Sequence, residues 1–162
     1  MKGLGKTILL SAVLAALSSL AQAQVAEKKV LTLDGARKVI DAAKAEARRL
    51  NAPGGVIAVV DDGGHLMGLR RMDGCATISS YIAPEKARTA ALGRRESKVY
   101  EDIINNGRIS FLSAPHLQGM LEGGVPVLVE GVCAGAVGVS GVKSAEDVQI
   151  AKAGIAAVHV IC

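Results

Sequence analysis

Gly123–Gly154, GGVPVLVEGVCAGAVGVSGVKSAEDVQIAKAG, reads within about thirty residues as a strand, a tight turn, a glycine-rich strand and a capped helix. Val127, Val129 and Val132 are β-formers on either side of the turn at Glu130-Gly131, and Ala134–Val139 alternates small residues with valine. Ser144 with Asp147 three positions on has the spacing of a capping box, Asp standing where Glu or Gln is usual. A strand that carries Gly135, Gly138 and Gly141 offers little side chain, so another backbone or a flat ligand can come close to it.

Upstream, Thr32 is placed to cap a helix whose apolar stripe is Leu33, Ala36, Val39, Ile40, Ala43, Ala47 and Leu50. Asn51-Ala52-Pro53-Gly54-Gly55 stops it. Val56–Val60 is a continuous apolar run, as expected of a strand buried on both faces, and Asp61-Asp62-Gly63-Gly64 turns it into a returning strand at His65–Met72. A helical region follows through Tyr81, Ala87, Ala90 and Leu92, with Pro84 marking either its start or a kink. Gly93 signals its stop, and Ser97 is placed to cap a short helix through Val99, Ile103 and Ile104. Arg108–Leu121 has no period and reads as a loop long enough to be functional. The last helix presents Ile150, Ala153, Ala157 and Val160. Two hairpins among helices in the order α-β-β-α-α-β-β-α predict an α+β fold, an antiparallel sheet with packed helices.

The amino terminus stands apart. Lys2 and Lys6, the apolar run Ile8–Leu20 and Ala21-Gln22-Ala23 form the three regions of a secretory signal peptide over residues 1–23, cleaved after Ala23. That leaves 24–162 as a single domain, periplasmic or secreted, with no membrane attachment after cleavage. Loss of two lysines and no acids lowers the net charge from +4 to +2. So small an excess, with no Trp, two Tyr and one Phe, argues against nucleic acid as a partner.

An exported chain is free to form a disulfide, but Cys75, Cys133 and Cys162 are odd in number and lack metal-site spacing. Cys133 reads as a small buried hydrophobe, and Cys162 as a candidate for intermolecular pairing. Neither a dinucleotide fingerprint, a phosphate loop nor a nucleophile elbow is present. His65 follows a hairpin turn and His116 sits in the aperiodic loop, so both are candidate metal ligands; His159 falls among apolar residues of the last helix and reads as structural. Met67, Met72 and Met120 are soft iron ligands in principle and core fillers by the plainer reading. Arg70-Arg71-Met72-Asp73 closes a strand with charges, either as a turn-stabilising pair or, with Lys86, as a grip on a carboxylate.

Taken together, the motifs resemble the GlcG/HbpS-like haem-binding family, which also includes the C-terminal domain of PduO-type proteins. The resemblance rests on Val59–Leu66, Arg71-Met72-Asp73-Gly74, Lys86–Ala90, Gly123-Gly124-Val125-Pro126 and Gly135–Gly141 with the following Asp147 and Ala151. It implies a profilin-like α/β sandwich that assembles into a homo-oligomer, often an octamer. It also implies haem as cofactor, with haem handling or redox sensing as the role. Arg71, Asp73, Lys86, Gly123, Gly124 and Pro126 are the positions it places around a shared pocket, with His116 or His65 toward iron. The other reading of that pocket is a small organic-acid-binding enzyme or sensor, with Arg71 and Lys86 on the carboxylate. Whether there is turnover stays open.

Overall fold

The computed structural model describes residues 26–158. The segment expected to be a signal peptide, and His159, Val160 and Cys162, lie outside the described residues. Helix α1 spans Leu33–Arg49, and its cap is the expected one: the Thr32 side-chain oxygen accepts the Gly35 N–H at 3.1 Å. Asp34 in its first turn and Arg48 and Arg49 in its last complement the helix dipole. Ala36, Val39, Ile40, Ala43 and Ala47 are buried, while Leu33 is exposed and Leu31, whose N–H donates to the Ala134 carbonyl, is buried.

Four strands follow as two hairpins: β1 (Val56–Asp61) with β2 (Leu66–Arg71), and β3 (Gly124–Val129) with β4 (Val132–Ser140). The sheet order is β2-β1-β4-β3 with every neighbour antiparallel, so the two hairpins join through β1 and β4. β1 and β4 therefore lie inside the sheet, and β2 and β3 are its edges. Asn51 stops α1 with φ 53°, and Glu130 and Gly131 turn the second hairpin with φ 51° and 79°.

Alternation along the strands sorts the core into two layers. Ile57 and Val59 of β1, Val137 and Val139 of β4, and Val125 and Val127 of β3 pack against α1 and Ile150 of α4 (Ser144–Ala156). Val56, Ala58, Val60 and Ala136 point the other way, toward Ala83, Ala87, Ala90 and Ala91 of α2 (Ser79–Gly93). The result is an α+β fold with helices on both faces of an antiparallel sheet. Two shorter elements, α3 (Lys98–Asn105) and a 3₁₀ turn (Ile109–Ser113), join α2 to β3. No helix among the described residues is long and apolar enough to cross a membrane.

Local details depart from the sequence reading where tertiary packing takes over. Pro84 neither starts nor ends α2, which begins at Ser79 and runs through it. At the other end the left-handed residue is Arg94, φ 53°; Gly93 is small because an added Cβ would lie 2.2 Å from the Tyr100 hydroxyl. Ser97 sits at the N-cap of α3 but makes no capping bond. Its hydroxyl donates to the Leu121 carbonyl and accepts the Gly124 N–H at 2.8 Å, pinning the start of β3. The box that opens α4 is one residue early: Glu146, not Asp147, accepts the N–H of Lys143. The buried face of α4 is Asp147, Ile150, Ala151 and Gly154, and the helix ends at Ala156.

Candidate functional site

Under α2 the glycine stretch is filled by the protein itself. An added Cβ on Gly138 would stand 2.0 Å from the Ala83 carbonyl oxygen, and on Gly124 2.2 Å from that of Lys86. Gly123, φ 126°, leaves room for the Lys86 ammonium, which such a Cβ would approach to 2.7 Å. Close approach of a backbone was one of the two readings of these glycines, and the approaching backbone is α2.

Lys86 is buried there. Its Nζ donates to the Val139 carbonyl and to the Asp147 carboxylate, both at 3.0 Å. Asp147 also accepts the Val142 N–H. Burial pushes the Asp147 carboxyl up, against the pull of the Lys86 charge and hydrogen bond. Lys86 comes from the α2 layer and Asp147 from the opposite one, so the pair clamps the two helical layers where β3 begins. It leaves the ammonium facing protein rather than a ligand. Pro126, also buried in β3, pairs with Ala136.

The β1–β2 hairpin is a different environment. The side chain of His65 is 82% exposed, and its Nδ1 lies 3.1 Å from the Asp61 carboxylate. An ionised carboxylate only accepts, so the ring proton sits on Nδ1 and the Nε2 lone pair is left outward. Asp61 also accepts the N–H groups of Gly63 and His65, at 2.9 and 2.8 Å. Burial pushes its carboxyl up, but these hydrogen bonds and the His65 ring outweigh it and hold Asp61 below the usual range. Exposed Leu66 and Leu69 follow on β2; Leu92 and Arg88 of α2 lie over Gly64. His116, by contrast, is exposed in the loop with φ 61°, and none of its neighbours orients it.

Arg71 and Asp73 belong to a third place. They line a groove of about 430 Å³ at the far end of β2 with Arg70 and Met72, opposite Lys44 and Arg48 of α1. Arg71 Nε donates to the Cys75 sulfur at 3.2 Å. Of the residues expected around one pocket, Lys86, Gly123 and Gly124 are together, Arg71 and Asp73 are together, and the two groups are apart. Cys75 and Cys133 are free thiols; burial raises the latter's pKa. A further groove of about 680 Å³ lies between the N-terminal segment, α1 and β3. Leu31, Val127, Val129 and Val158 give it apolar walls, Lys29, Asp34 and Lys38 line it as well, and no His, Cys, Met or Tyr does.

Sequence reasoning missed Asp61, Asp147, Lys44 and Arg48. The Asp four residues before His65, across a turn that must bring them together, is a signal for the first. Nothing local marks the others. Among the described residues no three His, Cys, Asp or Glu side chains gather as a metal site.

Comparison with known proteins places this geometry. The family model described as "Haem degrading protein HbpS-like" matches residues 31–156. Protein GlcG of Escherichia coli K12 is 57% identical over 113 residues, 70% of this chain and 83% of its own. The crystal structure of HbpS superposes with a TM-score of 0.77 at 27% identity, covering 86% of this chain and 97% of HbpS. The crystal structure of a PduOC:heme complex gives a TM-score of 0.72 at 29% identity, covering 80% and 95%.

Proposed function

This chain belongs to the HbpS-like family, and from that premise we propose that it is an exported haem-binding protein whose axial ligand is His65. The observation that carries the ligand assignment is the Asp61–His65 contact at 3.1 Å beside an exposed Nε2. A carboxylate on the far ring nitrogen fixes the tautomer and raises the basicity of the ligating one. A porphyrin already supplies four ligands to iron, so a single oriented histidine is a sufficient protein contribution, where a bare metal ion would need three or four. Leu66, Leu69 and Leu92 give the apolar surface a flat macrocycle needs, beside the Glu85–Arg88 ion pair. The 680 Å³ groove has apolar walls but no His, Cys, Met or Tyr to offer iron. Bound haem would supply a redox-active iron, the basis for haem handling or redox sensing.

Hemin titration followed at the Soret band tests this. Wild type and His116→Ala are expected to shift the band alike, and His65→Ala to bind at least tenfold more weakly. Asp61→Asn is expected to lose about 10- to 100-fold while keeping the ligand. A wild-type-like His65→Ala, or no shift with wild type, overturns the proposal. The export part predicts a mature N-terminus at Gln24 by mass spectrometry. Assembly into a homo-oligomer, for which exposed Tyr81, Ile109 and Leu112 supply apolar surface, is read by light scattering.

A further inference from the structure

We propose that the groove between α1 and the end of β2 is a second ligand site, for a small dicarboxylate. Its lining holds four cations, Lys44, Arg48, Arg70 and Arg71, against one carboxylate, Asp73. Lys44 already pairs with Asp41 at 3.2 Å, so with Asp73 counted the groove keeps an excess of two positive charges. On the same helical turn, by contrast, Arg49 forms two hydrogen bonds to Glu46. Arg48, Arg70 and Arg71 make no ion pair among the described residues. Arg48 of α1 and Arg70 of β2, both without an ion pair and on the same side of the sheet, are the kind of pair that recognises carboxylate or phosphate.

Geometry favours two separated carboxylates over one compact anion. Arg70 and Arg71 are neighbours on an edge strand, so their side chains leave on opposite faces. Arg70, paired in register with Ile57, is on the α1 side, where Lys44 and Arg48 are; Arg71, paired with Val56, is on the other. A ligand that engages both must carry its charges several atoms apart. Arg71 is held in place by its Nε contact to Cys75, which leaves the two terminal nitrogens of its fork for the ligand.

The site is independent of the haem reading. His65 and Arg71 stand six residues apart along β2, about 20 Å at the rise of an extended strand. That separation sets the two sites at opposite ends of β2, and the ligand of the groove is a free small acid.

Isothermal titration calorimetry with acetate, phosphate and the linear dicarboxylates from malonate to adipate tests the proposal. At least one dicarboxylate should bind saturably, about tenfold or more tighter than acetate or phosphate, since each charge-assisted contact contributes a factor of that order. Arg48→Ala and Arg70→Ala should each lose about tenfold, and Arg71→Ala should reduce the dicarboxylate to the acetate level. Asp73→Asn should tighten binding, which loss of a merely structural residue would not do. Arg49→Ala and His65→Ala should bind as wild type. Equal affinity for acetate, phosphate and every dicarboxylate, or a loss in Arg49→Ala equal to that in Arg70→Ala, would overturn the site. Failure of hemin to bind would leave this result untouched, and failure of the acids would leave the Soret experiment untouched.

Discussion

Two acid–base pairs of nearly equal length divide the labour of this protein. Lys86–Asp147 spans 3.0 Å with side chains 5% and 3% exposed; His65–Asp61 spans 3.1 Å with side chains 82% and 37% exposed. The first carboxyl is pushed up by burial and the second is held down by hydrogen bonds. Burial, not pair geometry, sets what each can do. A pair sealed between helical layers specifies how α2 and α4 sit on the sheet and has no side left for a ligand. A pair at a hairpin tip adds little stability and keeps one nitrogen free for chemistry.

The sharpest way to break this comparison is to remove Lys86. Lys86→Met leaves a carboxylate buried without its cation, and about 3–5 kcal/mol of stability should go with it in urea unfolding. Replacing both partners, Lys86→Met with Asp147→Leu, should recover most of that loss, because an apolar pair of similar volume removes two desolvated charges at once. If the single variant unfolds at the wild-type midpoint, the clamp is not structural. Asp147→Asn sharpens the same point through its pH profile. Folding raises the Asp147 pKa, so its contribution is fully present below the ordinary value of 3.8 and is lost as pH rises through the folded value. The advantage of wild type over Asp147→Asn should therefore be greatest in acid and shrink toward neutrality. A growing advantage would mean that the Lys86 charge outweighs burial.

The glycines come next in size. Gly123→Ala combines a positive φ with a Cβ 2.7 Å from both Lys86 Nζ and the Val139 carbonyl oxygen, and should cost about 1–3 kcal/mol. A Lys86→Met background should reduce that cost, since the crowded ammonium is gone; simple additivity in the double-mutant cycle would refute the coupling.

How much of this was legible beforehand depends on the range of the interaction. Thr32 capping α1, the Asp61–Gly64 turn and the continuous apolar run that makes β1 a two-faced core strand are decided within a few residues, and all were readable. Asp147 was not. Its spacing from Ser144 satisfies a capping pattern, while the partner that fixes it lies 61 positions away on another helix. Ser97 is the same case: right for a cap by position, but used 24 and 27 residues away at Leu121 and Gly124. The pocket expected around Lys86, Gly123 and Gly124 divides for this reason. Sequence order shows that glycines make room and does not show that α2 takes it. The family was legible because its motifs are spaced along one chain, and spacing survives without knowledge of contacts.

At the exposed pair the stability effects should be the smallest and the functional ones the clearest. His65→Ala removes a mostly solvated ring and should change stability by less than about 1 kcal/mol, the range of a surface ion pair. Asp61→Asn should show the opposite pH trend to Asp147→Asn. Its folded pKa is depressed, so the wild-type contribution is present above the ordinary 3.8 and is lost as pH falls through the folded value. Wild type and variant should converge in acid and separate toward neutrality. Because Asp61 holds the turn through the Gly63 and His65 N–H groups as well as the ring, Asp61→Asn should also cost more stability than His65→Ala. If the two variants cost the same, the carboxylate acts only through the ring, and its role would be to aim Nε2 rather than to build the hairpin.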